Sequence, residues 1–522
     1  MSRNESLARG AAVLAIAGLI VKISNLFVRV PLTRLIGTEG LGIYQMALPA
    51  FFAMYHLAAG GVPIAVQNLV AEYQAKERRA GAEQVLRLAL RYSMLTGGAA
   101  ACLLVMGAPL LARLLGEPRT YWALVAVAPA VPLFAMDAMY RSYMQGRKLM
   151  SPSAVASLVE QGTKIVATLA LAIVVVPLGK AYAAGGAAAG ITAGAVLSLV
   201  YMMASYHRLR REDGPSQSRP EPRSILVRRM VHLAWPVTLG SIMMPLLNVV
   251  DVGIVQRGFL KAGYGQSVAT AMYGGLNGIA VQVVWFPMVI TNALGNALVP
   301  VLAAARARHD EETVCDRALM GLRATGLICL PVVVGLAAFA YPIARLFGDP
   351  AAAVPLLYMA PAAYFGPLTW LMTAQLQALG KTGIPMRNFF VGLIIKLGLD
   401  AYLAPLRGID IKGVALASVA LFLISGYLNA RALARELKRP LPWSWMLQGP
   451  LLASLIMGGV LVGIGGAALR TGTNGMLLSG LMLVSPFIYL GALILTRTIT
   501  WLELSDMLGP LTIRLKRLLR WN

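Results

Sequence analysis

The chain has 522 residues, 58% of them hydrophobic and 13% charged, with a formal net charge of +24. Soluble domains hold roughly 25% charged residues, so this composition, with a mean hydropathy of +0.69, excludes an ordinary soluble enzyme. Cys102 and Cys329 fall in apolar stretches and Cys315 in a charged connection, which excludes a disulfide framework and a metal cluster.

Fourteen apolar segments follow one another, each long enough to cross about 30 Å of hydrocarbon. They cover 11–36, 44–70, 90–114, 120–144, 153–177, 182–205, 231–256, 268–302, 320–346, 353–378, 386–405, 411–433, 447–469 and 475–496. The expected fold is an all-α integral membrane protein. The first segment, from Gly10 to Ile36, is too long for a signal-peptide core and no small-residue cleavage site follows it, so it is expected to stay as the first helix. Connections on the N-terminal side hold about 32 of the 46 Lys and Arg, against about 10 on the other side. That asymmetry predicts a multi-pass protein of the cytoplasmic (plasma) membrane with both termini inside. The basic surplus is then topology and contact with membrane lipids, not nucleic-acid binding.

Ala112-Arg-Leu-Leu-Gly-Glu-Pro118 nearly repeats as Ala344-Arg-Leu-Phe-Gly-Asp-Pro350, 232 positions later. The same offset carries Ala-Pro-Ala at 128–130 onto 360–362, Gln145 onto Gln377 and Lys164 onto Lys396. Two copies of a six-span unit are expected. Because six is even, both run the same way through the bilayer, related by an axis along its normal. The lobes are 1–206 and 231–436, separated by a polar, proline-rich cytoplasmic linker at 207–230. Residues 437–522 add two helices and a tail that reads either as a basic amphipathic helix on the inner leaflet or as a solvated end. No segment is large enough for a separate catalytic domain and no nucleotide-binding loop is present, so neither an enzyme nor a cofactor is expected.

Polar residues fall on helical stripes inside the spans. Lys22, Asn25, Arg29 and Thr33 share one face of span 1, and Ser153, Ser157, Glu160, Lys164 and Thr168 share one face of span 5. Span 4 carries Asp137, Arg141 and Gln145, which the 232 offset places opposite Thr369, Thr373 and Gln377 of span 10. Span 11 has Lys396 and Asp400; span 7 has Asn248 and Asp251; span 8 has Asn277, Gln282, Asn292 and Asn296. Ionisable groups at such depth normally face a bundle interior or a wet cavity.

Two readings stand for Asp137–Arg141, Glu160–Lys164 and Lys396–Asp400: ion pairs one turn apart that lock the bundle, or the lining of a transport site. Arg29 has no acid on its own helix and either snorkels to the surface or faces the interior to bind an anion. His56 in span 2 is either a packing residue or an extra titratable charge. Lys164 and Lys396 each lie about 16 Å into their spans at 1.5 Å per residue, which is mid-depth. A cationic site lined by Arg29, Lys164 and Lys396, with His56 and Lys22 assisting and Glu160, Asp251 and Asp400 beside it, suits an anionic, lipid-linked substrate. A drug or cation antiporter would instead rest on Asp251, the one intramembrane acid without a basic residue one turn away. A non-transporting scaffold for cell-wall enzymes is the third reading.

The residues Ser24-Asn-Leu-Phe-Val-Arg29, Arg34-Leu-Ile-Gly-Thr-Glu-Gly-Leu-Gly-Ile-Tyr-Gln45 and Ala293-Leu-Gly-Asn-Ala-Leu-Val-Pro300 complete the pattern. On these the chain resembles the multidrug/oligosaccharidyl-lipid/polysaccharide exporter superfamily, and within it the polysaccharide-exporter branch with its stage V sporulation and lipid II flippase members. The resemblance implies flipping of an undecaprenyl-pyrophosphate-linked sugar, such as a peptidoglycan precursor, from the inner to the outer leaflet; the protein is expected to be a monomer. It matches the arginine that those flippases place after Phe-Val to Arg29, and a basic residue of their span 2 to the neighbourhood of His56. Their next residue is aspartate where this chain has Val30, and their span 8 arginine has no basic counterpart around 272–276.

Overall fold

Leucine and alanine dominate the chain, and in hydrocarbon every backbone N–H and C=O must be satisfied within its own segment. Helices are the answer throughout. The computed structural model describes residues 3–213, 221–470 and 475–498, with side chains described in these stretches except at 3–16, 22, 26, 465–470 and 475–479. Among the described residues it is all-helical. In order the helices are α1 (Arg3–Ala59), α2 (Val62–Ala75), α3 (Arg79–Leu114), α4 (Tyr121–Val127), α5 (Ala130–Gly146), α6 (Ser151–Val175), α7 (Lys180–Asp213), α8 (Arg223–Lys261) and α9 (Gln266–Tyr273). A π-helical stretch, Gly274–Ala280, then leads to α10 (Val281–Val284) and α11 (Met288–Ala307). The remainder are α12 (Glu311–Leu346), α13 (Ala353–Met359), α14 (Ala362–Ala378), α15 (Gly383–Leu403), α16 (Asp410–Glu436), α17 (Trp443–Arg470) and α18 (Gly475–Leu495).

Ten of these segments are long and apolar enough to cross a membrane, or eleven if the pair Pro350–Met359 and Ala362–Ala378, bent by 45°, counts as one span. The expected fourteen is not reached by that measure, for physical reasons. The first two expected spans merge in α1, which has 57 residues. Straight, it would measure about 85 Å, nearly three times the hydrocarbon thickness. Gly37, at φ 70° and ψ 170°, breaks it, in a region where a Cβ is penalised and glycine is not. The eighth expected span is interrupted at 285–287, and α15 carries Arg387, Lys396 and Asp400.

The repeat is explicit in the backbone. α3 and α12 have 36 residues each and begin and end 232 positions apart. The short 3-10 turns Pro118–Thr120 and Pro350–Ala352, then α4 and α13, then α5 and α14, keep that offset at both ends. So do left-handed residues that end helices, Glu77 with His309, Gly116 with Gly348, and Lys148 with Gly380.

The chain divides into two compact units. The first takes residues up to Gln282 with Arg345–Ala352 and Leu397–Val414; the second takes Val283–Ala344, Ala353–Lys396 and the described residues from Ala415 onward. In the first, Val66, Leu69, Tyr73, Leu86, Met139 and Met202 anchor one core, and Ala47, Phe51, Leu104, Leu124 and Val127 another. In the second, Leu302, Leu322, Leu371, Leu376 and Leu433 do so.

Small residues let α6 and α7 touch along their backbones, as membrane helices do where lipid offers no hydrophobic drive. A Cβ at Gly190 would stand 2.2 Å from Thr168 Oγ1 and 2.5 Å from Thr168 N. Gly190→Leu is therefore expected to cost about 3 kcal/mol and to lower the melting midpoint in detergent. Gly162→Ala on α6, where a Cβ meets nothing within 4 Å, should not lower the midpoint and, by helix propensity, should raise it slightly.

Candidate functional site

The first unit gathers most of the predicted polar residues on α1, α5, α6 and α7. Arg141 organises them. Its guanidinium pairs with Asp137 one turn back, donates from Nη2 to Glu160 Oε2 at 2.8 Å and to Ser198 Oγ at 2.8 Å, and reaches the Ser153 carbonyl at 3.1 Å. Ser198 Oγ in turn donates to Asp137 Oδ1 at 2.9 Å. Asp137–Arg141 is thus an ion pair along one helix, whereas Glu160 is bound by Arg141 of α5. A planar fork with five donors serves two carboxylates at once, which a lysine ammonium on the same helix does less well.

Lys164 is left over. It is half-buried on α6 and, among the described residues, makes no hydrogen bond or ion pair, though the charges of Glu160 and Arg29 both act on it. Arg29 lies on α1, whose Asn25 accepts from Gln161 Nε2 of α6 at 3.1 Å. Among the described residues Arg29 meets no carboxylate either: its Nη1 donates to the carbonyl of Gly278 at 3.0 Å. With Asp137 and Glu160 against Arg29, Arg141 and Lys164, one positive charge is in surplus.

The acceptor for Arg29 comes from the π-helical stretch. Gln45 Nε2 donates to the next carbonyl back, Asn277, at 3.3 Å, so two side chains of α1 satisfy carbonyls where the helix is wound loosely. Glycine makes the approach possible: a Cβ at Gly274 would fall 2.0 Å from the Thr38 carbonyl. The Gly274-Gly275 and Gly278 cluster was the sequence signal for this docking.

The other predicted residues are placed as follows. His56 Nδ1 lies 2.8 Å from the Phe52 carbonyl of its own helix, with the ring against Tyr55. Lys22 has a side chain outside the described residues. Asp251 is half-buried on α8, where its charge acts on Tyr273. Asp400 is fully buried on α15 and belongs to the first unit; Lys396, 8% exposed on the same helix, belongs to the second. In the second unit the repeat positions of Asp137, Arg141 and Glu160 hold the neutral Thr369, Thr373 and Gly392, while that of Lys164 keeps its charge as Lys396. Thr369 Oγ1 donates to the Phe422 carbonyl at 2.9 Å, Asn429 Nδ2 to Thr373 Oγ1 at 3.2 Å, and Asn388 Nδ2 to Asn429 Oδ1 at 2.9 Å.

Sequence reasoning missed a second cluster, where the turn-side ends of helices meet in the first unit. Glu117 is fully buried there and accepts from Arg119 Nε at 2.8 Å, from Gln266 Nε2 at 2.9 Å and from the Thr270 hydroxyl. Arg119 also bridges to Glu39, whose other oxygen accepts from Lys180 Nζ at 2.7 Å. The only hint was the repeated Gly-Glu-Pro/Gly-Asp-Pro motif. Burial alone would push the Glu117 carboxyl up, but the hydrogen bonds from Arg119, Thr270 and Gln266 hold it below its ordinary value of 4.5. A depressed carboxylate stabilises the fold above its unfolded value, and that stability drains away as pH falls through the folded value. Melting midpoints measured from pH 7 downward should therefore fall below about pH 4.5, and Glu117→Gln should flatten that fall. Glu117→Ala, which strips a buried ion pair, is expected to cost about 3 kcal/mol at pH 7.

The model of a family described as polysaccharide biosynthesis protein matches residues 7–306, and that of the MatE family matches residues 236–402. Stage V sporulation protein B of Bacillus subtilis (strain 168) is 30% identical over 445 residues, covering 83% of this chain and 85% of that protein. Lipid II flippase MurJ of the same organism is 22% identical over 444 residues, covering 80% and 81%. A solved structure of lipid II flippase MurJ in an inward closed conformation superposes with a TM-score of 0.69 at 18% identity, covering 94% of this chain and 99% of that one. An inward-facing MATE family multidrug resistance transporter superposes at 0.66 and 15% identity, covering 81% and 99%. The MurJ proteins are named as lipid II flippases and the MATE protein as a multidrug resistance transporter. The chain shares the all-helical fold of these lipid II flippase and MATE structures and belongs to the polysaccharide biosynthesis protein family.

Proposed function

We propose that the protein flips an undecaprenyl-pyrophosphate-linked sugar, a peptidoglycan precursor or polysaccharide unit, across the plasma membrane by alternating access. The proposed plan is fourteen spans: lobes at 1–206 and 231–436, a cytoplasmic linker at 207–230, and two further helices with a basic tail at 437–522. Both termini lie in the cytoplasm, and the protein works as a monomer that hands its product to cell-wall synthesis. Kinship with a sporulation protein extends the proposal to the spore wall.

One observation carries the reading: Lys164 stands in the interior without an acidic partner of its own, beside an Arg29 that donates only to a backbone carbonyl. An unpaired cation in the membrane is costly and is kept for function. A bond to a neutral carbonyl is also exchangeable, because a phosphate oxygen offers Arg29 a charge-assisted and roughly twice stronger partner. Arg141, by contrast, is fully committed to Asp137 and Glu160. In this reading Arg29 and Lys164 take the pyrophosphate from the first lobe and Lys396 from the second. His56 and Lys22 have supporting parts, and Glu160, Asp251 and Asp400 set the field.

The test is leaflet-resolved accessibility of labelled lipid II in vesicles containing the purified protein. Arg29→Ala and Lys164→Ala are each expected to slow translocation at least about tenfold, which corresponds to 1.4 kcal/mol of lost binding. Arg141→Lys should instead reduce stability. Unchanged translocation in both alanine variants would remove the site assignment, and absence of translocation by the native chain would remove the function. Cation-driven drug export that Asp251→Asn abolishes would replace it with the antiporter.

A further inference from the structure

α8 has 39 residues, about 58 Å at 1.5 Å per residue, so its last turns extend past the hydrocarbon. Arg257 and Lys261 stand there one turn apart on one face, both exposed. Like charges at this spacing repel, and among the described residues no carboxylate pairs with either. Arg257 Nη2 donates instead to the Arg113 carbonyl at 3.2 Å. The neighbouring acids are already engaged. Glu117 adjoins Gly116, which packs on the Arg257 side chain, but it is held by Arg119, Gln266 and Thr270. Asp410 accepts from the Tyr264 hydroxyl at 2.8 Å and from the backbone N–H groups of Gly408 and Ile411.

The two cations rim a cavity of about 440 Å³ with apolar walls that include Leu114, Val249, Val250 and Ile254. Leu114 and Val250 are each 49% exposed, so the cavity opens sideways, where acyl chains lie. By the charge distribution it sits on the side that holds only about 10 of the 46 Lys and Arg. Topology alone therefore does not account for two adjacent cations there.

We propose that this cavity binds the phosphate headgroup of an anionic glycerophospholipid. Arg257 and Lys261 contact the phosphate oxygens, and one acyl chain runs along Leu114, Val249, Val250 and Ile254. A guanidinium fork and an ammonium together match a phosphate diester, and the apolar wall gives a lipid chain, rather than a soluble anion, its share of the contact. This site is separate from Arg29 and Lys164 and does not depend on what the protein transports.

Native mass spectrometry of the full-length protein from vesicles of equal phosphatidylglycerol and phosphatidylcholine tests this. The native chain is expected to retain phosphatidylglycerol at least tenfold over phosphatidylcholine, and the double variant Arg257→Gln/Lys261→Gln to lose that preference. Arg208→Gln/Arg211→Gln, on the opposite face, should keep it. An unaltered preference in the Arg257/Lys261 variant overturns the proposal. Displacement of phosphatidylglycerol by equimolar undecaprenyl pyrophosphate overturns the phospholipid assignment, because the site then belongs to the transported lipid. Should the double variant fail to fold, a photoreactive residue replacing Val250 in the otherwise native chain gives a second readout. Cross-linking to phosphatidylglycerol is expected, and its absence overturns the proposal.

Discussion

Carrying a charge to the middle of a bilayer costs about 3 kcal/mol even on permissive insertion scales, and the membrane-crossing helices of the first unit carry at least five charges along their length. Arg141 makes this tolerable. One guanidinium ties α5 to α6 through Glu160 and to α7 through Ser198, while holding Asp137 of its own helix. Every other polar feature of this region follows from how completely that fork is used. Because both carboxylates are satisfied by Arg141, Lys164 is not needed to neutralise Glu160, and because Arg29 finds only a carbonyl, two cations remain available side by side. Replacing Arg141 by lysine would keep the charge and lose the geometry.

Much of this was legible in the residues. Apolar segments marked the helices, and the 232-residue offset between Ala112-Arg-Leu-Leu-Gly-Glu-Pro118 and its later copy recurs to the residue in the ends of α3, α4 and α5 against those of α12, α13 and α14. Stripes such as Ser153, Ser157, Glu160 and Lys164 correctly marked one face of a helix, because periodicity along one helix is a local property. Partner choice was not legible. Glu160 has a lysine one turn away, yet it meets Arg141 of another helix, and only tertiary packing decides between them. Nor did any periodicity announce the π-helical turn at Gly274–Ala280, where a winding change supplies the acceptors for Arg29 and Gln45. Thr369 and Thr373, polar in the sequence, meet the Phe422 carbonyl and Asn429, partners that no spacing along one helix announces.

The two repeats are cross-tied at the turn-side ends in a reciprocal way. Arg34, near the end of the first repeat's opening helix segment, donates to the Leu346 carbonyl at the end of α12 at 3.0 Å. Arg257, near the end of the second repeat's opening helix, donates to the Arg113 carbonyl at the end of α3 at 3.2 Å. Helix C-termini present unsatisfied carbonyls and partial negative charge, so each of the two helix ends takes an arginine, although the 232 offset places Arg34 on Gln266 and Arg257 on Asn25 rather than on each other.

The charged pairs at this end obey a different rule, and it bears on how the end could open. Glu39, Glu117, Arg119 and Lys180 all belong to the first repeat, so their ion pairs travel together. What crosses between repeats here, among the described residues, is a set of hydrogen bonds with a neutral group on one side: Gln266 and Thr270 to Glu117, Arg34 to Leu346, Arg257 to Arg113, Gln45 to Asn277. Such bonds are worth about 1 kcal/mol each, or up to about 3 where one partner is charged, and water can replace them. Parting the repeats at this end therefore leaves no carboxylate without its cation. At the other end of α8 the arrangement is reversed, since Arg229 forms an ion pair with Glu72 of α2. Under alternating access, an end held by neutral bonds around a self-contained charge cluster can open and reclose without the cost of exposing or stranding a buried charge.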